Sequence, residues 1–144
     1  MDKKEKLILV IDDEVEIRNI IKEILSDEGY NTLTAASAKE AKKILEEQSP
    51  DMVFLDIWMP EQDGISLLDE WSKKGKQDFP VIMISGHATI ETAIEATKLG
   101  ASDFIEKPIS IEKLLNTIDS VFSNKTEIEI EDILTYIIKN SKKF

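Results

Sequence analysis

Three short apolar runs constrain this chain more than any other feature: Leu7-Ile8-Leu9-Val10-Ile11, Val53-Phe54-Leu55 and Val81-Ile82-Met83-Ile84. Runs this short and this rich in branched side chains, bounded by turn residues, read as strands buried on both faces. Such strands need cover on both sides, and the intervening segments provide it. Ile17, Ile20, Ile21, Ile24 and Leu25 recur at helical spacing. So do Ala38, Ala41, Ile44 and Leu45, then Ile65, Leu68 and Trp71 with Leu67, and finally Ile111, Leu114, Leu115, Ile118 and Phe122. The alanine-rich stretch from Thr89 to Leu99 is weakly amphipathic. Two weaker strands, Tyr30 to Ala35 and Asp103-Phe104-Ile105, complete five strand–helix units. That alternation, with short connections, predicts an α/β domain whose parallel sheet carries helices on both faces.

The punctuation agrees with this pattern. Gly29, Gly75 and Gly100 fall where helices should stop, Pro50 and Pro80 precede strands, and Pro60 leads out of the third strand. Ser37 and Glu40 have the spacing of a capping box, and Ser110 is placed to cap the last helix. A length of 144 residues allows one domain with a proper core and a short appendage. With 29 acidic against 18 basic residues, the net charge of −11 repels nucleic-acid backbones and anionic membranes. Direct DNA binding by this chain is therefore not expected. The absence of cysteine removes disulfides and thiolate metal sites. No segment has the length of a membrane span or the pattern of a signal peptide, so a cytoplasmic location is expected.

Polar residues recur at one place in each unit, the carboxyl end of a strand. Asp12 and Asp13 follow the first, Asp56 ends the third, Ser85 ends the fourth and Lys107 follows the fifth. Open parallel sheets bind their ligands just beyond this edge. If the first and third strands are neighbours, three carboxylates converge. Two like charges ~4 Å apart repel by ~4 kcal/mol at an effective dielectric near 20. A cluster of that kind takes up protons or holds a cation. Oxygen ligands without His or Cys suit Mg²⁺, which also binds phosphate oxygens. With a lysine and a hydroxyl beside it, the cluster suits an acyl phosphate formed on one carboxylate.

The Asp12-Asp13 pair, the run Leu55-Asp56-Ile57-Trp58-Met59-Pro60 with Asp63-Gly64, Ser85 and Lys107-Pro108 together resemble the receiver domain of bacterial response regulators, the CheY-like superfamily. The resemblance covers about residues 5–122, in order and spacing. It implies a flavodoxin-like (βα)5 doubly wound sheet with strand order 2-1-3-4-5. It implies Asp56 as phosphoacceptor for a sensor histidine kinase, with magnesium held by Asp12, Asp13, Asp56 and the backbone carbonyl of Trp58. Lys107 would contact the phosphoryl group, Ser85 would turn toward it, and Phe104 would be the switch aromatic. The face made by the fourth helix, fifth strand and fifth helix would then control dimerisation or an output domain. Ser85 to Ala93 and Asp103 to Pro108 further resemble the nitrogen-regulator branch, NtrC and NtrX, which usually continues into a sigma-54-activating ATPase and a DNA-binding end.

Plainer readings compete at single positions. Trp58 and Phe104 also suit ordinary packing, His87 is more often a surface residue than a catalytic one, and Lys107-Pro108 admits either peptide isomer. Beyond Ser123, a linker and tail span residues 123–144. There Glu127 to Glu131 alternates like a strand, while Ile130, Ile133, Leu134, Ile137 and Ile138 fit a helical stripe better. That stripe must be buried on the receiver, on a second chain or on an output domain, and a homodimer is the favoured use. The rival functions are an Mg²⁺-dependent phosphohydrolase with an aspartyl-phosphate intermediate and a pseudo-receiver that only binds partners. The first usually has a second acid two residues after the nucleophile, where Trp58 stands here.

Overall fold

The computed structural model describes residues 5–75, 78–87, 89–123, 134–135 and 137–139. Its elements alternate as the apolar pattern requires: β1 (Leu7–Ile11), α1 (Val15–Asp27), β2 (Asn31–Ala35), α2 (Ala38–Glu47), β3 (Met52–Asp56), α3 (Gly64–Lys74), β4 (Val81–Ser85), α4 (Ile90–Lys98), β5 (Asp103–Glu106) and α5 (Ile111–Ser123). All pairings are parallel, and the sheet order is β2-β1-β3-β4-β5. The expected flavodoxin-like order is therefore observed.

Strand residues alternate between two cores, because successive side chains point to opposite faces. Ile8 and Val10 of β1, Phe54 of β3 and Ile82 and Ile84 of β4 join Ile21 and Leu25 of α1 and Leu114 and Ile118 of α5. Leu9, Ile11, Val53, Leu55, Val81 and Met83 pack on the other side, against Ala38 and Ala41 of α2 and Leu67, Leu68 and Trp71 of α3. Both faces of β1, β3 and β4 are covered, which is why those strands read as unbroken apolar runs. The helical stripes are narrower than their spacing predicts: Ile20 on α1 and Ile111 on α5 are exposed.

Local chemistry sets the element ends. Gly75 closes α3 at φ 64°, a left-handed conformation suited to glycine. Ser37 Oγ accepts from the Glu40 amide at 3.1 Å, but the Glu40 carboxylate reaches the Ala36 amide instead of that of Ser37. The expected capping box is thus displaced by one residue. A reciprocal box occurs instead at α4, where Thr89 and Thr92 each accept from the other's backbone N–H. Ser110 caps α5 through the Lys113 amide, at 3.3 Å. Tyr30 precedes β2 rather than opening it, and its ring lies 6.1 Å from that of Phe122. The Lys107-Pro108 bond is cis. Among the described residues, no helix is long and apolar enough to cross a membrane. Of the tail stripe, Leu134, Ile137 and Ile138 lie in helical segments and are exposed; Ile130, Ile133 and the Glu127 to Glu131 run lie outside the described residues.

Candidate functional site

Because every strand runs the same way, the five carboxyl ends share one edge. β1 stops at Ile11, so Asp12, Asp13 and Glu14 fall in the link to α1, and β3 stops at Asp56. β1 and β3 are direct neighbours, with Ile11 opposite Leu55. Each of Asp12, Asp13, Glu14 and Asp56 consequently offers a carboxylate oxygen within 4.8 Å of the others. Asp12 and Asp56 are buried, whereas Asp13 and Glu14 are exposed.

Asp56 is held by its backbone on several sides. It pairs with Ile84 of β4, and the next amide, Ile57, donates to the Ile84 carbonyl at 3.1 Å. The Gly64 amide donates to the Ile57 carbonyl at 2.7 Å. A Cβ at position 64 would lie 2.1 Å from the Asp56 carbonyl oxygen, so only glycine lets α3 begin this close to the acid. Asp63 caps the same helix by accepting from the Ser66 amide at 2.7 Å. The Asp-Gly pair thereby couples the start of α3 to the position of Asp56.

Asp12 is fixed as firmly. Its Oδ1 accepts from the Glu14 amide at 2.8 Å, and its carbonyl accepts from Arg18 Nη1 at 2.8 Å. Lys107 arrives from the far side of the sheet, where its amide donates to the Ser85 carbonyl at 2.9 Å. Its Nζ lies 2.7 Å from Glu14 Oε1, 2.9 Å from Asp12 Oδ2 and 3.6 Å from Asp56 Oδ1. Ser85 is fully buried, and its hydroxyl accepts from the His87 amide at 3.1 Å.

Burial and crowding govern the charges. Asp56 is pushed up to about 7, first by burial and then by the negative Asp12, with Lys107 pulling the other way. Asp12 is also raised, because burial outweighs the hydrogen bond from Glu14 and the charge of Lys107. For Lys107, burial favours the neutral amine, but the hydrogen bond to Glu14 and the close carboxylates of Asp12 and Asp56 outweigh it and raise the group overall. One lysine therefore faces four acids. Although Asp12 Oδ2 is close to Lys107 Nζ, it has no partner in hydrogen-bonding geometry and is buried. An orphaned carboxylate oxygen among further oxygen donors fits a hard divalent cation, which would join Asp12, Asp13 and Asp56.

The structure thus brings together Asp12, Asp13, Asp56 and Lys107. Ser85 is tied to Lys107 through the backbone. Trp58 stands half exposed at the mouth, its indole N–H directed at the His87 carbonyl at 3.4 Å. Phe104 is partly buried on β5 and packs on the core shared with α2 and α3. Two participants were missed. Glu14, the third acid of the Asp-Asp-Glu run, is the nearest partner of Lys107, and only the three-dimensional reach of the lysine shows it. The steric role of Gly64 was signalled by its place eight residues after Asp56, but the motif alone does not display the clash.

An open parallel sheet of order 2-1-3-4-5, with an acidic cluster and a lysine at its carboxyl edge, has the construction of a receiver. The profile of the response regulator receiver domain matches residues 8–119, and the chain belongs to that family. Within the family it is similar to NtrX proteins. It is 52% identical over 110 residues to an NtrX-like response regulator of Rickettsia bellii, covering 75% of this chain and 23% of that protein. It is 46% identical over 110 residues to the nitrogen assimilation regulatory protein NtrX of Azorhizobium caulinodans, covering 75% of this chain and 24% of that protein. The crystal structure of the receiver domain of NtrX from Brucella abortus is 46% identical, with a TM-score of 0.75, and the likeness covers 82% of this chain and 99% of that one. The chain spans about a quarter of the length of these two curated relatives.

Proposed function

We propose that this chain is a phosphorylation-controlled switch in which Asp56 accepts a phosphoryl group from a sensor histidine kinase. The observation that carries the reading is the placement of Asp56: backbone-anchored, buried, beside three acids, and 3.6 Å from a lysine ammonium. In the transfer, one Asp56 carboxylate oxygen forms the new O–P bond while the P–N bond to the donor imidazole breaks, and the electron pair leaves with the imidazole nitrogen. Mg²⁺ bound by Asp12, Asp13, Asp56 and the Trp58 carbonyl would supply positive charge to the carboxylates and the incoming phosphoryl oxygens. Lys107 adds the second positive charge, from a stem whose backbone is already tied to Ser85. The Ser85 hydroxyl, now accepting from His87, would turn to donate to the phosphoryl group, and Phe104 would shift with it.

The phosphoryl group brings about −1.5 to −2 charges to this edge, a local change able to bias the surface formed by α4, β5 and α5. That surface would pass the signal to a second copy or to an output domain in transcription control, the usual arrangement in the NtrX-like branch. The chain would assist chemistry on its own aspartate without turning over an outside metabolite.

Intact mass after treatment with acetyl phosphate and Mg²⁺ tests the reading. One Mg²⁺-dependent phosphoryl adduct is expected on the native chain and none on Asp56→Asn. Unchanged labelling of the variant would refute the assignment. Multiple turnover of a phosphate ester would instead identify a phosphohydrolase, and a folded chain that takes no phosphoryl group or beryllofluoride would be a pseudo-receiver.

A further inference from the structure

Lys107 is the cation that the phosphoryl group on Asp56 needs, yet its ammonium rests nearer to Glu14 and Asp12 than to Asp56. Its shortest contact is Glu14 Oε1 at 2.7 Å, against 3.6 Å to Asp56 Oδ1. The lysine backbone is fixed by the Ser85 carbonyl, so moving the ammonium toward Asp56 requires rotation of its side chain alone. The Glu14 backbone is anchored as well, so its carboxylate reaches the lysine from a fixed stem. The Glu14 amide donates to Asp12 Oδ1 at 2.8 Å, and its carbonyl accepts from the Arg18 amide at 3.1 Å.

We infer that Glu14 is a positioning residue that holds the Lys107 ammonium in the unphosphorylated protein and competes with a phosphoryl group on Asp56 for it. The inference rests on the receiver reading. The Glu14 side chain is 57% exposed and that of Lys107 only 11%, so water solvates the glutamate once the lysine leaves. The competition is accordingly mild, of the size of a solvated ion pair. It nonetheless acts on the group that most directly rewards phosphorylation. Glu14 thereby lowers the affinity of the site for the phosphoryl group and keeps the lysine off Asp56, leaving that carboxylate open to the cation.

Glu14→Gln tests this without endangering the fold, because Glu14 heads α1 with no side-chain capping bond and its backbone bonds persist in the variant. Glu16→Gln, in the first exposed turn of the same helix, removes the same charge and serves as control. Beryllofluoride binding at saturating Mg²⁺ is followed by tryptophan fluorescence, and Mg²⁺ binding alone by the same signal. Glu14→Gln is expected to tighten beryllofluoride about two- to fivefold and to weaken Mg²⁺, with a shift of the Lys107 ε-methylene resonance in the metal-free protein. Glu16→Gln should leave all three near native values. Equal or weaker beryllofluoride binding in Glu14→Gln, or equal tightening in both variants, overturns the inference while leaving the receiver reading intact. A native chain that binds no beryllofluoride overturns both.

Discussion

Asp56 is buried beside Asp12, and the cost of ionising it there has a thermodynamic signature. Its carboxyl is raised to about 7 in the folded chain, against an ordinary value of 3.8. Between those values the native state binds a proton that the unfolded state has released. Stability from this group is therefore complete below about 4 and lost as pH rises through about 7. In metal-free buffer, urea midpoints of the native chain should fall across that window. Asp56→Asn should flatten this part of the profile and exceed the native stability at pH 8 by ~1–3 kcal/mol. A profile identical in both proteins would show that Asp56 does not titrate as its surroundings require. Gly64 gives a second test at this scale. Gly64→Ala puts a methyl group against the Asp56 carbonyl and should destabilise the chain by ~3 kcal/mol or more, by chemical denaturation, with weakened Mg²⁺ binding in what remains folded. Asp12, Asp13, Asp56 and Lys107 were legible in the sequence because each follows or ends a recognisable strand. Glu14 was not, since its partner lies 93 residues away and solvated acids are common.

Among the elements, those with strong apolar periodicity were readable almost to the residue. β2 and β5 flank the sheet and α4 is thinly buried, so their apolar signals are weaker, although their expected bounds also lie within about a residue of those observed. α4 shows this best. Ala96 is its one fully buried residue, while Ile90 and Ile94 are exposed. Little packing holds its first turn, which depends instead on the Thr89–Thr92 exchange. Thr89→Ala should cost ~1 kcal/mol, seen as faster amide exchange in the first turns of α4 while β1 and β3 keep their protection. Uniform acceleration through the sheet would mean that α4 opens only with the whole domain. The displaced cap at α2 has a simple cause: a glutamate three residues into a helix reaches either of two adjacent amides, and sequence spacing does not choose between them.

For the molecule as a whole, a cation held at the proposed site would link stability to ligand. Any cation that binds the folded chain alone stabilises it, by ~2.7 kcal/mol at a free concentration about 100 times Kd. Calorimetry should therefore show a rise in Tm with Mg²⁺ at pH 8, a smaller one at pH 5 where protons occupy Asp56, and almost none in Asp56→Asn. A rise independent of pH and of Asp56 would place the cation elsewhere. The two-sided burial of β1, β3 and β4 made the architecture legible, since unbroken apolar runs leave few other folds open. The tail was less so, because an exposed amphipathic stripe such as Leu134 and Ile137 does not name what it packs against.

The way Asp56 is mounted has one more consequence. Flanked by paired strands and pressed by α3 through Gly64, the acid is the fixed jaw of a vise. The other jaw is Lys107, which follows β5, an edge strand with a neighbour on one flank only, and is tied to β4 through the Ser85 carbonyl. A group that enters between the jaws should therefore displace the β5 side more than Asp56.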